Sequence, residues 1–269
     1  MNFLKRLSRG LIAAEPAPPR GKAGCRAYAV GDVHGRIDLL DEMLGLIEED
    51  RAGRPSKKTY IVFLGDLIDR GPDSAAVVER LRTFHSLGAT PIFLTGNHEE
   101  VLLRILNGER RILASWLRFG GAECAASYGI NVEALKHMEE GAAIARVQAA
   151  VPESHKRFLE GLADTFRFGD YLFVHAGIRP GVAVEEQDPA DLRWIREPFL
   201  TDTKEHGFVV VHGHTIVDTV EERRNRIGID TGAYLTGRLT ALAIEDDRRW
   251  FITTAPEGGQ AQQFESAAA

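Results

Sequence analysis

The sequence predicts an α/β chain folded as an αββα sandwich: two mixed β-sheets packed face to face, helices outside, and a helical cap insertion. Three observations carry that prediction. Short apolar runs alternate with helical periodicity as far as Glu99, a long helical stretch follows, and the second half is β-rich with hairpin-like spacing.

The first runs, Ala27 to Val30, Tyr60 to Leu64 and Thr90 to Leu94, are too short and too β-branched or aromatic for helices. Between the first two, Ile37, Leu39, Leu40, Met43, Leu44 and Ile47 recur at helical spacing, so the sequence predicts a helix from about Ile37 to Asp50. The runs recur near the roughly 30 residues of a βαβ unit. Three adjacent parallel strands would therefore deliver their C-terminal loops to one edge, where open α/β sheets collect ligands. From Glu99 to about Leu162 the pattern is helical, broken by Gly120, Gly121 and Gly129. Strand signals resume at Thr165 to Phe168, Tyr171 to His175, Phe208 to Val211, Val217 to Glu221, Arg226 to Asp230, Leu239 to Ile244 and Trp250 to Thr253.

The organisation expected is a tail and linker over 1–24, one domain over 25–255 with its cap at about 100–163, and a loose tail over 256–269. With 44% hydrophobic residues in 269, the chain can bury a sizeable core. A net charge of -6 argues against nucleic acid as main partner, because that requires a basic excess. Cys25 and Cys124 form no CxxC and no spaced framework, which fits ordinary thiols in a reducing, cytoplasmic compartment. At the N-terminus, Phe3, Leu4, Leu7, Leu11 and Ile12 lie near helical spacing with Lys5, Arg6 and Arg9 between them. The stretch is too short for a transmembrane segment, leaving a frayed tail or a weak association with a membrane surface.

Five glycine-bounded segments carry the chemistry: GDVHG at 31, GDLIDRG at 65, GNHE at 96, HAG at 175 and HGHT at 212. Asp32 and His34, two positions apart at an extended strand end, can project to one side and chelate one cation. Asp66 has two oxygens and can bridge to a second, roughly 3.5 to 4 Å away. Asn97, His175 and His214 complete that second shell. Mixed nitrogen and oxygen donors suit two divalent or mixed-valence transition-metal ions, manganese first with iron or zinc as alternatives, over magnesium or calcium. Such a pair acidifies a shared water toward a pKa of about 7 and makes hydroxide for in-line attack on phosphorus. His98 is then placed to protonate the leaving group, Asp69 to orient it, and Arg70 to fork onto phosphate oxygens. Each segment alone has a plain structural use, as a tight turn, a helix cap or a core histidine; their conjunction favours the site.

These residues resemble the phosphoprotein phosphatase family of metallophosphoesterases, whose signatures look like GDxHG, GDxxDRG and GNHE. The resemblance runs from Tyr28 to about Ala243. It implies the same ligand assignments, His98 with Asp69 as the acid pair, and Arg70 as a phosphate clamp. It also implies a second clamp between HAG and GHT, near a Leu-Trp pair. In DLRWIREPF the position relative to tryptophan favours Arg196; Arg193 then reads as a rim charge or a salt-bridge partner and Arg179 as a solvated loop charge. His212 is left outside the metal set, while Asp230 and Tyr234 are expected to line the pocket. The run from Glu221 to Arg226 reads as an exposed hairpin. The leading expectation for function is a bacterial-type serine/threonine protein phosphatase acting on a phosphoprotein or phosphorylated small molecule. A symmetrical dinucleoside tetraphosphate hydrolase is the alternative, with Trp116, Phe119 and Tyr128 as candidate pocket walls, and a non-catalytic metal-binding scaffold is the remote one.

Overall fold

A computed structural model describes residues 17–85, 88–255 and 260–266. In chain order, β1 (Cys25–Val30), α1 (Ile37–Ala52), β2 (Lys58–Phe63), α2 (Ser74–Arg82), β3 (Ala89–Phe93) and α3 (Asn97–Leu106) form the predicted βαβαβα run. β1 pairs parallel with β2, and β2 parallel with β3. Helices α4 (Leu113–Trp116), α5 (Ala122–Ser127), α6 (Val132–Lys136), α7 (Glu140–Ala150) and α8 (Glu153–Glu160) follow, where the sequence predicts its helical insertion. The second half supplies β4 (Thr165–Phe168), β5 (Tyr171–Val174), α9 (Pro189–Trp194), β6 (Val209–His212), β7 (Glu221–Glu222), β8 (Arg226–Gly228), α10 (Ala233–Thr236), β9 (Thr240–Glu245), β10 (Arg248–Thr253) and β11 (Gln262–Glu265).

The strands make two mixed sheets, one ordered β11-β10-β9-β1-β2-β3 and the other β4-β5-β6-β8-β7. Period-two alternation fixes the layers. Ala27 and Ala29 of β1 join Tyr171 and Phe173 of β5 in the core between the sheets. Tyr28 and Val30 turn the other way, under α1 and α2 with Leu40, Met43 and Val77. On the second sheet Leu172, Val174 and Val210 face outward beneath Leu192 and Phe199. Strands buried on both faces read as continuous apolar runs, which is why β1 and β2 were visible in the sequence.

Several boundaries shift. The expected strand from Val217 to Glu221 contracts to Glu221–Glu222, because the Val217 N–H bonds to the Asp230 carbonyl in a loop. The C-terminal stretch expected to be loose includes an edge strand: β11 pairs antiparallel with β10, and Phe264 stacks on Phe251 at 5.3 Å. One aromatic in a polar segment supplies that anchor, too little for a composition-based reading to register. The linker is tied down at its end, where the Gly21 N–H bonds to the Asp246 carbonyl. The Glu221 to Arg226 hairpin is present, yet Asn225 and Arg226 are buried rather than exposed. The Arg226 guanidinium donates to Glu221 and to the Leu200 carbonyl, and the Asn225 amide to the carbonyls of Asp202 and Lys204. The proposed N-terminal amphipathic helix lies outside the described residues. Among those described, no helix is long and apolar enough to cross a membrane.

Candidate metal centre

All the motif residues leave C-terminal strand ends at the shared edge of the two sheets. Asp32 and His34 follow β1, Asp66 follows β2, Asn97 opens α3 after β3, His175 follows β5 and His214 follows β6. Since β1, β2 and β3 run parallel, and β5, β6 and β8 do too, both sheets present the same kind of edge.

Tight backbone turns put the side chains there. Seven described non-glycine residues have positive φ, and five belong to the motifs: His34, Asp66, Asp69, Arg70 and His214. Such conformations cost about 1–3 kcal/mol each and persist only where their surroundings over-determine them. Glycine does a different job beside them. A Cβ on Gly96 would lie 2.2 Å from Asp66 Oδ1, and one on Gly213 would lie 1.9 Å from Asp32 Oδ1. No other residue fits those approaches.

Glu99 over-determines the Asp66 turn. It is buried, and its carboxylate accepts from the backbone N–H groups of Asp66 (2.9 Å), Leu67 (2.8 Å), Ile68 (3.3 Å) and Gly96 (2.8 Å). At the third position of α3, Glu99 reaches back to the N-cap Gly96 N–H, the half of a capping box that a glycine N-cap allows.

Asp66 sits at the centre. Its Oδ2 lies 3.5 Å from His34 Nε2 and its Oδ1 3.3 Å from His175 Nε2. The other ring nitrogens are committed: His34 Nδ1 lies 2.8 Å from the Ile68 carbonyl and His175 Nδ1 2.9 Å from that of Leu64. Carbonyls only accept, so each Nδ1 donates, and burial holds both rings neutral, His34 down at about 3. Each Nε2 therefore turns a lone pair toward a carboxylate oxygen that also carries lone pairs. Asn97 Oδ1, 3.0 Å from His175 Nε2, joins them. Asp32 Oδ1 and His214 Nε2 are buried with no hydrogen-bond partner. Acceptors crowded together around Asp66 are what a cation satisfies, and these residues form groups that could hold metal ions.

Ligand atoms of His34, Asp66 and His98 lie within 4.8 Å of one another, as do those of Asp66, His175 and His214. Asp32 stands beside these groups, its Oδ2 accepting the His214 backbone N–H at 3.0 Å. His98 is held differently from the other histidines. Its Nδ1 lies 2.6 Å from Asp69 Oδ2, and the Trp116 indole N–H donates to both Asp69 oxygens, at 3.0 and 3.2 Å. Burial disfavours the charged ring, but the Asp66 and Asp69 carboxylates outweigh it and hold the pKa up at about 9. Trp116, expected as a pocket wall, is thus buried against Asp69.

Arg70 is fixed by its neighbours: its backbone N–H donates to the Gly120 carbonyl and its guanidinium to the Tyr234 hydroxyl at 2.8 Å. Tyr234, in turn, packs edge-on against His34. Asp230 is buried, accepts from the Gly232 N–H, and has its pKa raised to about 6 by burial first and the Asp66 charge next. Of the three arginine candidates, Arg193 is bound by Asp164 and Glu100 and Arg179 by Asp191. Arg196 is exposed, and its charge bears on His214. His212 Nδ1 faces the Gly213 carbonyl and its ring packs on Phe199.

The groups around Asp66 could hold metal ions, and comparison with known proteins gives the family. The chain belongs to the calcineurin-like phosphoesterases, whose family model matches residues 25–239. A symmetrical bis(5'-nucleosyl)-tetraphosphatase of Nitrosospira multiformis is 27% identical over 88% of this chain and 99% of its own length. One from Legionella pneumophila strain Corby is 43% identical, over 30% of this chain and 26% of its own length. A crystal structure described as a putative diadenosine tetraphosphatase superposes over 93% of this chain and 97% of that one, with a TM-score of 0.60 at 20% identity.

Proposed function

We propose that this phosphoesterase hydrolyses dinucleoside tetraphosphates, cutting the four-phosphate chain at its centre, in place of the phosphoproteins that the signatures alone put first. The observation that supports it is the Nitrosospira relative's alignment along nearly its whole length.

We assign Asp32, His34 and Asp66 to one cation and Asp66, Asn97, His175 and His214 to the other. When bound, the pair supplies Lewis acidity and a water acidified from 15.7 toward about 7. The chain's own groups do the rest. Arg70, pinned by Gly120 and Tyr234, and Arg196, unpaired at the rim, hold phosphate oxygens from two sides. His98 gives the proton on Nε2 to the departing oxygen, while Asp69 holds Nδ1 and stabilises the charged ring. One P–O bond forms to the water oxygen and the bridging P–O bond breaks, its electrons leaving with the nucleoside diphosphate.

The test loads the protein with Mn, Fe, Zn, Ni or Mg in turn and compares kcat/KM for diadenosine tetraphosphate, a phosphoserine peptide and p-nitrophenyl phosphate. The dinucleotide should be preferred and yield ADP alone. ATP plus AMP would overturn the central cut, and preference for the peptide would return the protein-phosphatase reading.

A further inference from the structure

Six large apolar side chains are markedly exposed among the described residues, and four stand within two positions of residues of the site: Phe119 (59%) beside Gly120, Trp194 (41%) near Arg196, Ile216 (38%) near His214 and Leu235 (70%) beside Tyr234. Single exposed apolar residues need no explanation, but a concentration around a charged site does.

They connect to different ligands. Phe119 precedes Gly120, whose carbonyl takes the Arg70 N–H, and Leu235 follows Tyr234, whose ring packs on His34. Both connect to the His34 side of the site. Trp194 closes α9 and bonds to Glu100 on α3, the helix opened by Asn97, whose Oδ1 lies 3.0 Å from His175 Nε2. It connects to the His175 side.

Each ring is also held in place. The Trp194 indole N–H donates to Glu100 Oε2 at 3.3 Å, on the helix that Asn97 opens. Phe119 carries the Arg118 guanidinium 4.7 Å from its ring centre and sits at a kink where Gly120 takes a φ of 111°. A side chain on Gly120 would strike Arg70 at 2.6 Å, so the turn that presents Phe119 is locked to the phosphate clamp. Aromatic surface connected to each side of the site, with an arginine beside each, matches a ligand with two flat rings joined through a chain of phosphates.

We infer that Trp194 and Phe119 are stacking platforms for the two nucleobases of the substrate, one on each side of the metal pair. This rests on the dinucleotide reading above. The alternating arrangement of base, phosphates and base is symmetric about the central bridge, which is the bond that reading breaks. A phosphorylated protein loop has no pair of rings to place on both platforms.

The experiment measures kcat and KM for diadenosine tetraphosphate in wild type, Trp194→Ala, Trp194→Phe, Phe119→Ala, Phe119→Tyr and the double alanine variant, with Met138→Ala as an exposed apolar control remote from the motifs. Stacking is sequence-tolerant and its loss weakens binding about tenfold to a hundredfold per base. Each alanine variant should raise KM by about that factor with kcat changed less than about threefold, the losses multiplying in the double variant. Both aromatic replacements should restore KM, which a merely structural role would not require. With adenosine 5'-tetraphosphate, which has one base, the double variant should lose less than with the dinucleotide. If wild type cleaves the dinucleotide and the alanine variants keep its KM, the platforms are wrong while the substrate stands. If wild type does not cleave it, both fall.

Discussion

His98 and Asp69 share a 2.6 Å contact that the Trp116 indole closes from behind, so the histidine proposed to carry a proton is gripped through a buried carboxylate. The arrangement predicts a leaving-group signature. His98→Asn should retain its metals, read by elemental analysis, yet lower kcat by about 10² to 10⁴ on an alkyl phosphate that departs as a poor leaving group. On p-nitrophenyl phosphate, whose leaving group needs little protonation, the loss should be much smaller. Equal losses on both would remove His98 from the role of acid.

Glu99 gathers four backbone N–H groups from the Asp66 turn and the start of α3. In Glu99→Gln one oxygen becomes a donor facing donors, and each orphaned buried N–H costs about 1–3 kcal/mol. The variant should lose about 2–5 kcal/mol in urea unfolding and bind metal about tenfold to a hundredfold more weakly. Wild-type stability with wild-type affinity would show that the carboxylate is dispensable.

How much of this was legible in the sequence depends on the kind of residue. Asp32, His34, Asp66, Asn97, His175 and His214 could be picked out as candidates because each stands beside a glycine, or for His175 two positions before one, at the end of an apolar run. Trp116 could not, since its bond to Asp69 spans a loop and a kinked helix and leaves no spacing to detect. β11 escaped for the opposite reason: its strand character comes from pairing with β10, and its own residues are mostly polar. Arg196 could be favoured over Arg193 by its place after the tryptophan, but the partners of Arg193, Asp164 and Glu100, are remote in sequence and required coordinates.

Metal removal should expose the crowding around Asp66. Two sites each filled to about a hundred times their Kd would add roughly 5 kcal/mol, so chelation should lower Tm by about 10 °C or more, reversibly. Asp66→Asn replaces an acceptor by a donor facing His34 or His175. Its metal-free form should melt no lower than metal-free wild type, and added metal should not raise its Tm. Calorimetry with and without chelator decides; a metal-free variant that melts well below metal-free wild type would count against the acceptor cluster.

Far from the site, Arg26 and Glu245 meet across β1 and β9 at 2.6 Å, both buried. Burial opposes the Glu245 charge, but Arg26 and then Lys57 outweigh it and hold its pKa below the usual 4.5. A depressed carboxylate contributes stability that is present above 4.5 and lost as pH falls through the folded value. Arg26→Met leaves the buried charge with two longer contacts, from Lys57 and the exposed Arg248 at 3.4 Å each, and should cost about 3–5 kcal/mol at pH 7. The gap to wild type in urea midpoint should narrow below pH 4.5, as Glu245 becomes neutral in both. A gap that widens with acid would contradict the pairing.

His34 and Asp66 come from one sheet, His175 and His214 from the other, and the shared hydrophobic interior, with the bonds from His175 Nδ1 to the Leu64 carbonyl and from the His214 N–H to Asp32, brings the two edges into register. Cofactor uptake must therefore wait for the sandwich to close. A nascent chain stopped just past His214 would carry every candidate ligand in order along the polymer and still lack β8 and β9, the neighbours of β6 and β1, so maturation should be timed by collapse of the core rather than by synthesis of the signatures.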